Sequence, residues 1–221
     1  MVIALIPVKS LRRGKSRLAA VLGADERRAL VIAMLRKVVK ECAAHGSIHA
    51  VCVVTADEEI AAMAEALGAG VIAEGEEAGL SAAVLAGLNA AREAGASRVL
   101  ILPGDLPLLD QHELARIFEA SAGGTRSVIV PCGRGDGTNG LLIPSLSDFA
   151  PDYGEASFAR HFAHLTELGL QPVALRLPGI AVDIDEPDDL ALWLERYDEP
   201  SARPGEGGAS RAHEDASCPC N

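Results

Sequence analysis

The residues that could do chemistry fall in three short clusters, each placed where a strand should end. The first is Ile6-Pro7-Val8-Lys9-Ser10-Leu11-Arg12-Arg13-Gly14-Lys15-Ser16-Arg17-Leu18. Five of the chain's 20 lysines and arginines lie between Lys9 and Arg17. Cations on a glycine-bearing loop neutralise phosphate oxygens, and free backbone N–H groups add fixed dipoles. Only Gly14-Lys15-Ser16 of the Walker A pattern is present, so the loop is not a P-loop. Taken alone, it reads equally well as a solvated basic turn.

The second cluster is Leu102-Pro103-Gly104-Asp105-Leu106-Pro107. An aspartate bracketed by prolines directly after a buried strand is a candidate ligand for Mg²⁺, a hard cation usually shared with substrate phosphates. The competing role, capping the next helix, falls better to Asp110, immediately before Gln111-His112-Glu113. The third is Val182-Asp183-Ile184-Asp185-Glu186-Pro187-Asp188-Asp189. On extended chain Asp183 and Asp185 face the same way, and two such carboxylates repel unless a cation or water separates them. Asp188 and Asp189 suit the start of a helix, whose dipole favours negative charge. The Asp-x-Asp pair is ambiguous by itself; with Asp105 it makes a carboxylate clamp for a metal.

The elements that must hold these clusters alternate strand and helix. Val2–Ile6, His49–Thr55, Val71–Ala73, Arg98–Leu102 and Ser127–Val130 read as strands. Between them, a helix begun by Asp25, then Glu58–Leu67, Leu80–Ala94 and Gln111–Ala120 carry helical apolar spacing. Repeated units of this kind specify an α/β fold, a mainly parallel sheet with helices on both faces. Ligands of such sheets bind beyond the carboxyl ends of the strands. From Cys132 the rhythm changes: a glycine-rich stretch, a strand at Gly140–Pro144, a helix at Phe158–Leu168, a strand at Pro172–Leu177 and a closing helix at Asp188–Tyr197. One domain over residues 1–198 is expected. Residues 199–221 lack periodicity and read as a disordered tail.

Composition narrows the class. Of 221 residues 49% are apolar but only 3% aromatic, so the core must be aliphatic. No apolar run reaches a membrane span, and the apolar start precedes its charges rather than following them, unlike a signal peptide. A cytoplasmic protein without a membrane partner is expected. The net charge of −11 opposes a nucleic-acid backbone, whereas one local basic loop suits a small phosphorylated ligand. Five cysteines at irregular spacing form no disulfide framework, and Cys218-Pro219-Cys220 reads as solvated terminus.

Four motifs occur in order: Ile-Pro-Val-Lys…Gly-Lys-Ser-Arg-Leu, Leu-Pro-Gly-Asp-Leu-Pro, Asp136-Gly137-Thr138-Asn139 and Asp-Ile-Asp-Glu-Pro-Asp-Asp-Leu. Together they resemble the 2-phospho-L-lactate guanylyltransferase family, also called phosphoenolpyruvate guanylyltransferase, over residues 1 to about 198. The resemblance implies a Rossmann-like nucleotidyltransferase fold and a role in making coenzyme F-420. It implies that Asp105, Asp183 and Asp185 hold Mg²⁺, and that Lys9, Lys15 and Arg17 contact nucleotide phosphates. Gly79 and Ser81 stand where members carry a nucleotide-side Gly-Leu-Asn. Thr138, Gly154 and Ser157 would contact the acceptor, with Tyr153 where members usually have Phe.

The implied reaction is attack by an acceptor phosphate on the α-phosphorus of GTP, with Lys9, Lys15 and Asp105 catalytic and pyrophosphate leaving. A phosphate nucleophile is already anionic, so alignment and charge neutralisation suffice. The helical spacing of His161 and His164 favours surface or packing roles for them. Phospholactate, phosphoenolpyruvate and 3-phosphoglycerate are all open as acceptor, and a homodimer is the ordinary expectation. Two other readings stand beside this one. A molybdenum-cofactor or sugar-phosphate nucleotidyltransferase would usually open on a Gly-Gly loop where Pro7-Val8-Lys9 stands. A non-catalytic nucleotide-binding regulatory domain would have no need to keep all three aspartates.

Overall fold

Strands β1 (Val2–Pro7), β2 (Ala50–Thr55), β3 (Gly70–Ala73) and β4 (Arg98–Ile101) pair in parallel, β1 lying between β2 and β4. Near-continuous apolar runs suit strands covered on both faces. The computed structural model describes residues 1–11, 15–73 and 79–198. The expected disordered tail, with Cys218 and Cys220, lies outside these residues, as do Arg12, Arg13 and Gly14.

Beyond β4 come β5 (Val128–Pro131), β6 (Thr138–Pro144) and β7 (Val173–Ala174), in the sheet order β3-β2-β1-β4-β6-β5-β7. The mainly parallel expectation holds with β6 as the exception: it runs antiparallel to both β4 and β5. The physical reason is the short link from Pro131 to Thr138, since a parallel crossover needs a dozen residues or more. The expected strand at Gly140–Pro144 begins two residues earlier, and the one at Pro172–Leu177 shrinks to Val173–Ala174.

Alternation along β1 supplies both faces of the core. Ala4 and Ile6 pack with Leu35 and Val38 of α1 (Ala24–Ala44), with Ile60 of α2 (Glu58–Ala66) and with Leu114 of α4 (Gln111–Ala120). Ile3 and Leu5 face Val84 and Leu88 of α3 (Leu80–Glu93) and, further along, Leu165 of α5 (Ser157–Glu167). A third, smaller cluster joins Leu18, Met34 and Ile184 to Trp193 of α6 (Pro187–Asp198). It fastens the basic loop and the Asp183–Asp185 segment to the same helix α1, although they lie at opposite ends of the sequence.

Helix starts follow the sequence with one correction. Asp110 caps α4, accepting the Glu113 N–H at 2.8 Å. Asp25 does not begin α1: Gly23 is the N-cap and Glu26 accepts its N–H at 2.7 Å. A carboxylate three residues into a helix reaches back to the cap more easily than one in its second position.

Candidate active site

The carboxyl ends of β1 and β4 open on one edge of the sheet. Because β6 is reversed, it brings its first residues, Thr138 and Asn139, to that same edge. There a cavity of about 430 Å³ is lined by Lys9, Lys15, Arg17, Asp105, Thr138, Asn139, Asp183 and Asp185, among others. Three sequence clusters thus converge on one space.

Lys15 sits at its centre. Its backbone is left-handed (φ 54°) at the start of a short 3-10 helix, and its side chain is only 7% exposed. The ammonium pairs with Asp105 Oδ2 and with Asp185 Oδ1, the latter at 2.7 Å. Burial pulls the Lys15 pKa down, but the two carboxylates outweigh it and hold it above the ordinary lysine range.

Asp105 follows Leu102, whose N–H bonds Leu5 O at 3.1 Å, and it precedes the buried Leu106. Its carboxylate is therefore anchored on both sides. Its Oδ1 is buried and has no partner among the described residues. Asp183 accepts from Asn139 Nδ2 at 3.2 Å. Burial, then the neighbouring Asp105 and Asp185, push its pKa up. Asp185 is also raised by burial, yet Lys15 and the cations Arg17 and Arg134 hold it below the usual carboxylate range. Its N–H, with that of Glu186, bonds Asp189 Oδ2 at 3.0 and 2.8 Å, the helix-start role expected of that aspartate.

The remaining cations line the mouth. Arg17 is 66% exposed and pairs with Glu186 at 3.0 Å. Lys9 has no ion-pair partner among the described residues. Just after it, Ser10 Oγ and Leu11 N bond Asp57 Oδ2 at 3.1 and 2.9 Å. Asp57 also caps α2. Burial alone would raise its pKa, but the N–H groups and the Ser10 hydroxyl lower it.

The expected acceptor residues gather on the opposite wall. Thr138 lines the cavity, and Ser157 stands 3.5 Å behind its hydroxyl at the start of α5. Gly154 lies in the tight turn before that helix, at φ 134°, which only glycine adopts readily. Ser81 does not stand free: its Oγ accepts the Tyr153 N–H at 2.9 Å, tying α3 to the acceptor turn. Gly79 is the N-cap of α3, and the neighbours Leu80 and Tyr153 reach the cavity wall.

Four residues support the site without having been assigned to it from the sequence: Asn139, Asp57, Glu113 and His161. Buried Glu113 accepts from Gly179 N and, at 2.8 Å, from Ile180 N. Asn139 Nδ2 bonds Ile180 O at 2.9 Å as well as Asp183. The segment leading to Asp183 is thereby held from both sides. Asn139 lay in a quoted motif and could have been found there. Glu113 was visible only as a residue of a helix start.

Comparison with known proteins bears on the family and the fold. Residues 2–197 match the family model described as guanylyl transferase CofC like. A phosphoenolpyruvate guanylyltransferase of Conexibacter woesei is 41% identical over 188 residues, covering 85% of this chain and 84% of that protein. A 3-phospho-D-glycerate guanylyltransferase of Phenylobacterium zucineum is 36% identical, covering 84% and 86%. Among solved structures, a 4-diphosphocytidyl-2C-methyl-D-erythritol synthase superposes with a TM-score of 0.64 at 15% identity, over 89% of this chain and 99% of that one. That last likeness concerns the fold, which is the nucleotidyltransferase one. With a family match over nearly all the described residues and relatives above one-third identity, the chain belongs to the guanylyl transferase CofC-like family of nucleotidyltransferases.

Proposed function

We propose that the chain transfers GMP from GTP to a small phosphorylated carboxylic acid, releasing pyrophosphate, in coenzyme F-420 biosynthesis. The observation that carries this reading is the arrangement around Lys15. A buried ammonium held between Asp105 and Asp185 faces a cavity whose mouth carries Lys9 and Arg17. A polyphosphate needs cations of this kind on one side and a carboxylate-held charge on the other.

Nucleotidyl transfer on this fold typically uses a divalent metal. Among the described residues no three His, Cys, Asp or Glu side chains are set to enclose an ion. Mg²⁺ shared with phosphates requires only one or two carboxylates, however. The buried, unpartnered Oδ1 of Asp105 and the mutually repelling Asp183 and Asp185 fit such a cation. Of Asp105, Asp183 and Asp185, one or two at a time would hold Mg²⁺, which when bound neutralises charge on the phosphate oxygens. Lys15 positions and neutralises the reacting phosphates, and Lys9 and Arg17 bind the polyphosphate at the mouth. Gly79 and the start of α3 border the nucleotide. Thr138, backed by Ser157 and the Gly154 turn, orients the acceptor so that its phosphate oxygen meets the α-phosphorus in line. The oxygen–phosphorus bond forms as the bond to pyrophosphate breaks, and an anionic nucleophile leaves no proton to be removed.

The proposal includes a cytoplasmic enzyme, a homodimer, and no nucleic-acid partner. No helix among the described residues is long and apolar enough to cross a membrane. The test is pyrophosphate release from GTP and Mg²⁺ with phosphoenolpyruvate, 3-phospho-D-glycerate and 2-phospho-L-lactate supplied separately. Release that requires one acceptor, GTP and Mg²⁺ together is expected. No release with any of the three would overturn the reading.

A further inference from the structure

His161 lies on α5 and is 1% exposed, so of the surface and packing roles expected of it the structure bears out packing. Its ring packs between Phe149 and Tyr153, with ring centroids 5.3 and 4.7 Å away. Both ring nitrogens are engaged. The backbone N–H of Asp152 reaches Nε2 at 2.9 Å. A backbone amide only donates, so Nε2 presents its lone pair and the neutral ring carries its proton on Nδ1. Nδ1 lies 3.0 Å from Thr138 Oγ1, which must therefore accept from it.

The consequence reaches the cavity. With one lone pair taken by His161 and the other facing Ser157 at 3.5 Å, the Thr138 hydroxyl keeps its own proton for the wall it lines. A threonine hydroxyl ordinarily rotates to suit either partner type. Here the direction of donation is set two bonds away, by a main-chain N–H.

We propose that His161 is a positioning residue for the acceptor: it locks Thr138 as a hydrogen-bond donor into the cavity, so that this wall takes an anionic oxygen and rejects a donor group. The inference rests on the assignment of Thr138 to the acceptor subsite made above. Burial supports it, because it drives the His161 pKa down to about 4 and keeps the ring neutral.

Steady-state kinetics with GTP and phosphoenolpyruvate, or whichever acceptor supports release, test it through four variants: His161→Phe, His161→Asn, Thr138→Val and the His161→Phe/Thr138→Val pair. Phe keeps the ring volume and loses the N–H; Asn restores a donor near Nδ1. Losing a hydrogen bond to a charged group corresponds to about tenfold or more. H161F should raise the acceptor KM by about that factor and leave the GTP KM within about twofold, and H161N should recover most of the loss. The double variant should be no worse than T138V alone, because both remove one device. Independent losses that multiply, or equal rises in both KM values, would overturn the proposal. A second measurement needs no turnover and no variant that folds poorly. The imidazole ¹⁵N spectrum of the wild-type protein should show an Nδ1-protonated tautomer, and an Nε2-protonated one defeats the inference. Absence of transfer in the wild type would sink the assigned reaction instead, so the two failures are distinguishable.

Discussion

The two walls of the cavity are built on opposite electrostatic plans. On the side of β1, β4 and the 183–185 segment, full charges face one another: Lys15 against Asp105 and Asp185, Arg17 against Glu186. On the side of β6 and α5, the buried Thr138 hydroxyl and His161 ring are neutral and are joined to the main-chain N–H of Asp152 by directed hydrogen bonds. The charged wall supplies strength where phosphate charge must be balanced. The neutral wall supplies direction, and its cost if broken is an unsatisfied buried group rather than a lost charge.

The largest expected effect falls on the charged wall. Asp105→Asn keeps the shape of the side chain and removes the charge opposite Lys15. We expect kcat to fall by about 10²–10³, the magnitude typical of deleting one electrostatic contact at a reacting centre. The melting temperature should change little. Turnover near wild type at saturating GTP and Mg²⁺ would remove Asp105 from the machinery and leave the charged wall as a structural ion cluster.

Gly179→Ala probes the frame that holds the charged wall. A Cβ there would lie 2.5 Å from Leu108 O and 2.6 Å from Glu113 Oε2. Backbone on one side and a bonded carboxylate on the other leave little room to yield. We expect a loss of about 3 kcal/mol. That corresponds to a drop of roughly 6–12 °C in Tm for a domain of this size. Because Ile180 O also holds Asn139, activity should fall further than stability explains. An unchanged Tm would show that the 177–183 segment adapts freely and does not place Asp183.

Acid separates the two walls. The folded His161 pKa, lowered to about 4, lies below its ordinary value near 6.5. Its stabilising contribution is complete above pH 6.5 and is lost as pH falls through the range from 6.5 toward 4. The loss integrates to about 2–3 kcal/mol. Asp185 is shifted in the same direction from 3.8, so its contribution is lost only below that value. Urea midpoints at pH 7.5, 5.5 and 4.5 should therefore decline in the wild type and decline less in H161F. Parallel declines would mean that the acid sensitivity arises elsewhere.

This contrast also governs what could be read from the sequence. The charged wall was legible because its groups come in runs: Lys9 to Arg17, Asp105 between prolines, Asp183 and Asp185 two apart. The parallel half of the sheet was legible for a similar reason, since β1 is an uninterrupted apolar segment and β4 is apolar after Arg98. The neutral wall has no run of charges, and Thr138, Gly154 and Ser157 were reached only through the family resemblance. His161 meets a backbone N–H nine residues earlier and a hydroxyl 23 residues earlier, and its helical spacing with His164 suggests only surface or packing roles. The strand at Gly140–Pro144 was legible but its direction was not, although the short link from β5 required the reversal. Glu113 looked like part of a helix start because its bond to Gly179 and Ile180 spans more than sixty residues.

The smallest effect tests whether exposure, rather than charge alone, limits the outer rim. Arg17 and Glu186 pair at 3.0 Å, but both side chains are well solvated. Such pairs contribute up to about 1 kcal/mol and often nothing measurable. Arg17→Gln should therefore shift stability by less than about 0.5 kcal/mol. If Arg17 contacts the polyphosphate, the same variant should raise the GTP KM a few-fold and leave the acceptor KM in place. Because the rim is exposed, that difference should shrink as ionic strength approaches 1 M, where the screening length falls to about 3 Å. The T138V effect, arising from a neutral buried donor, should persist under the same salt. A GTP KM penalty in R17Q that survives high salt would mean the rim closes over its ligand and is shielded from water, which would erase this distinction between the two walls.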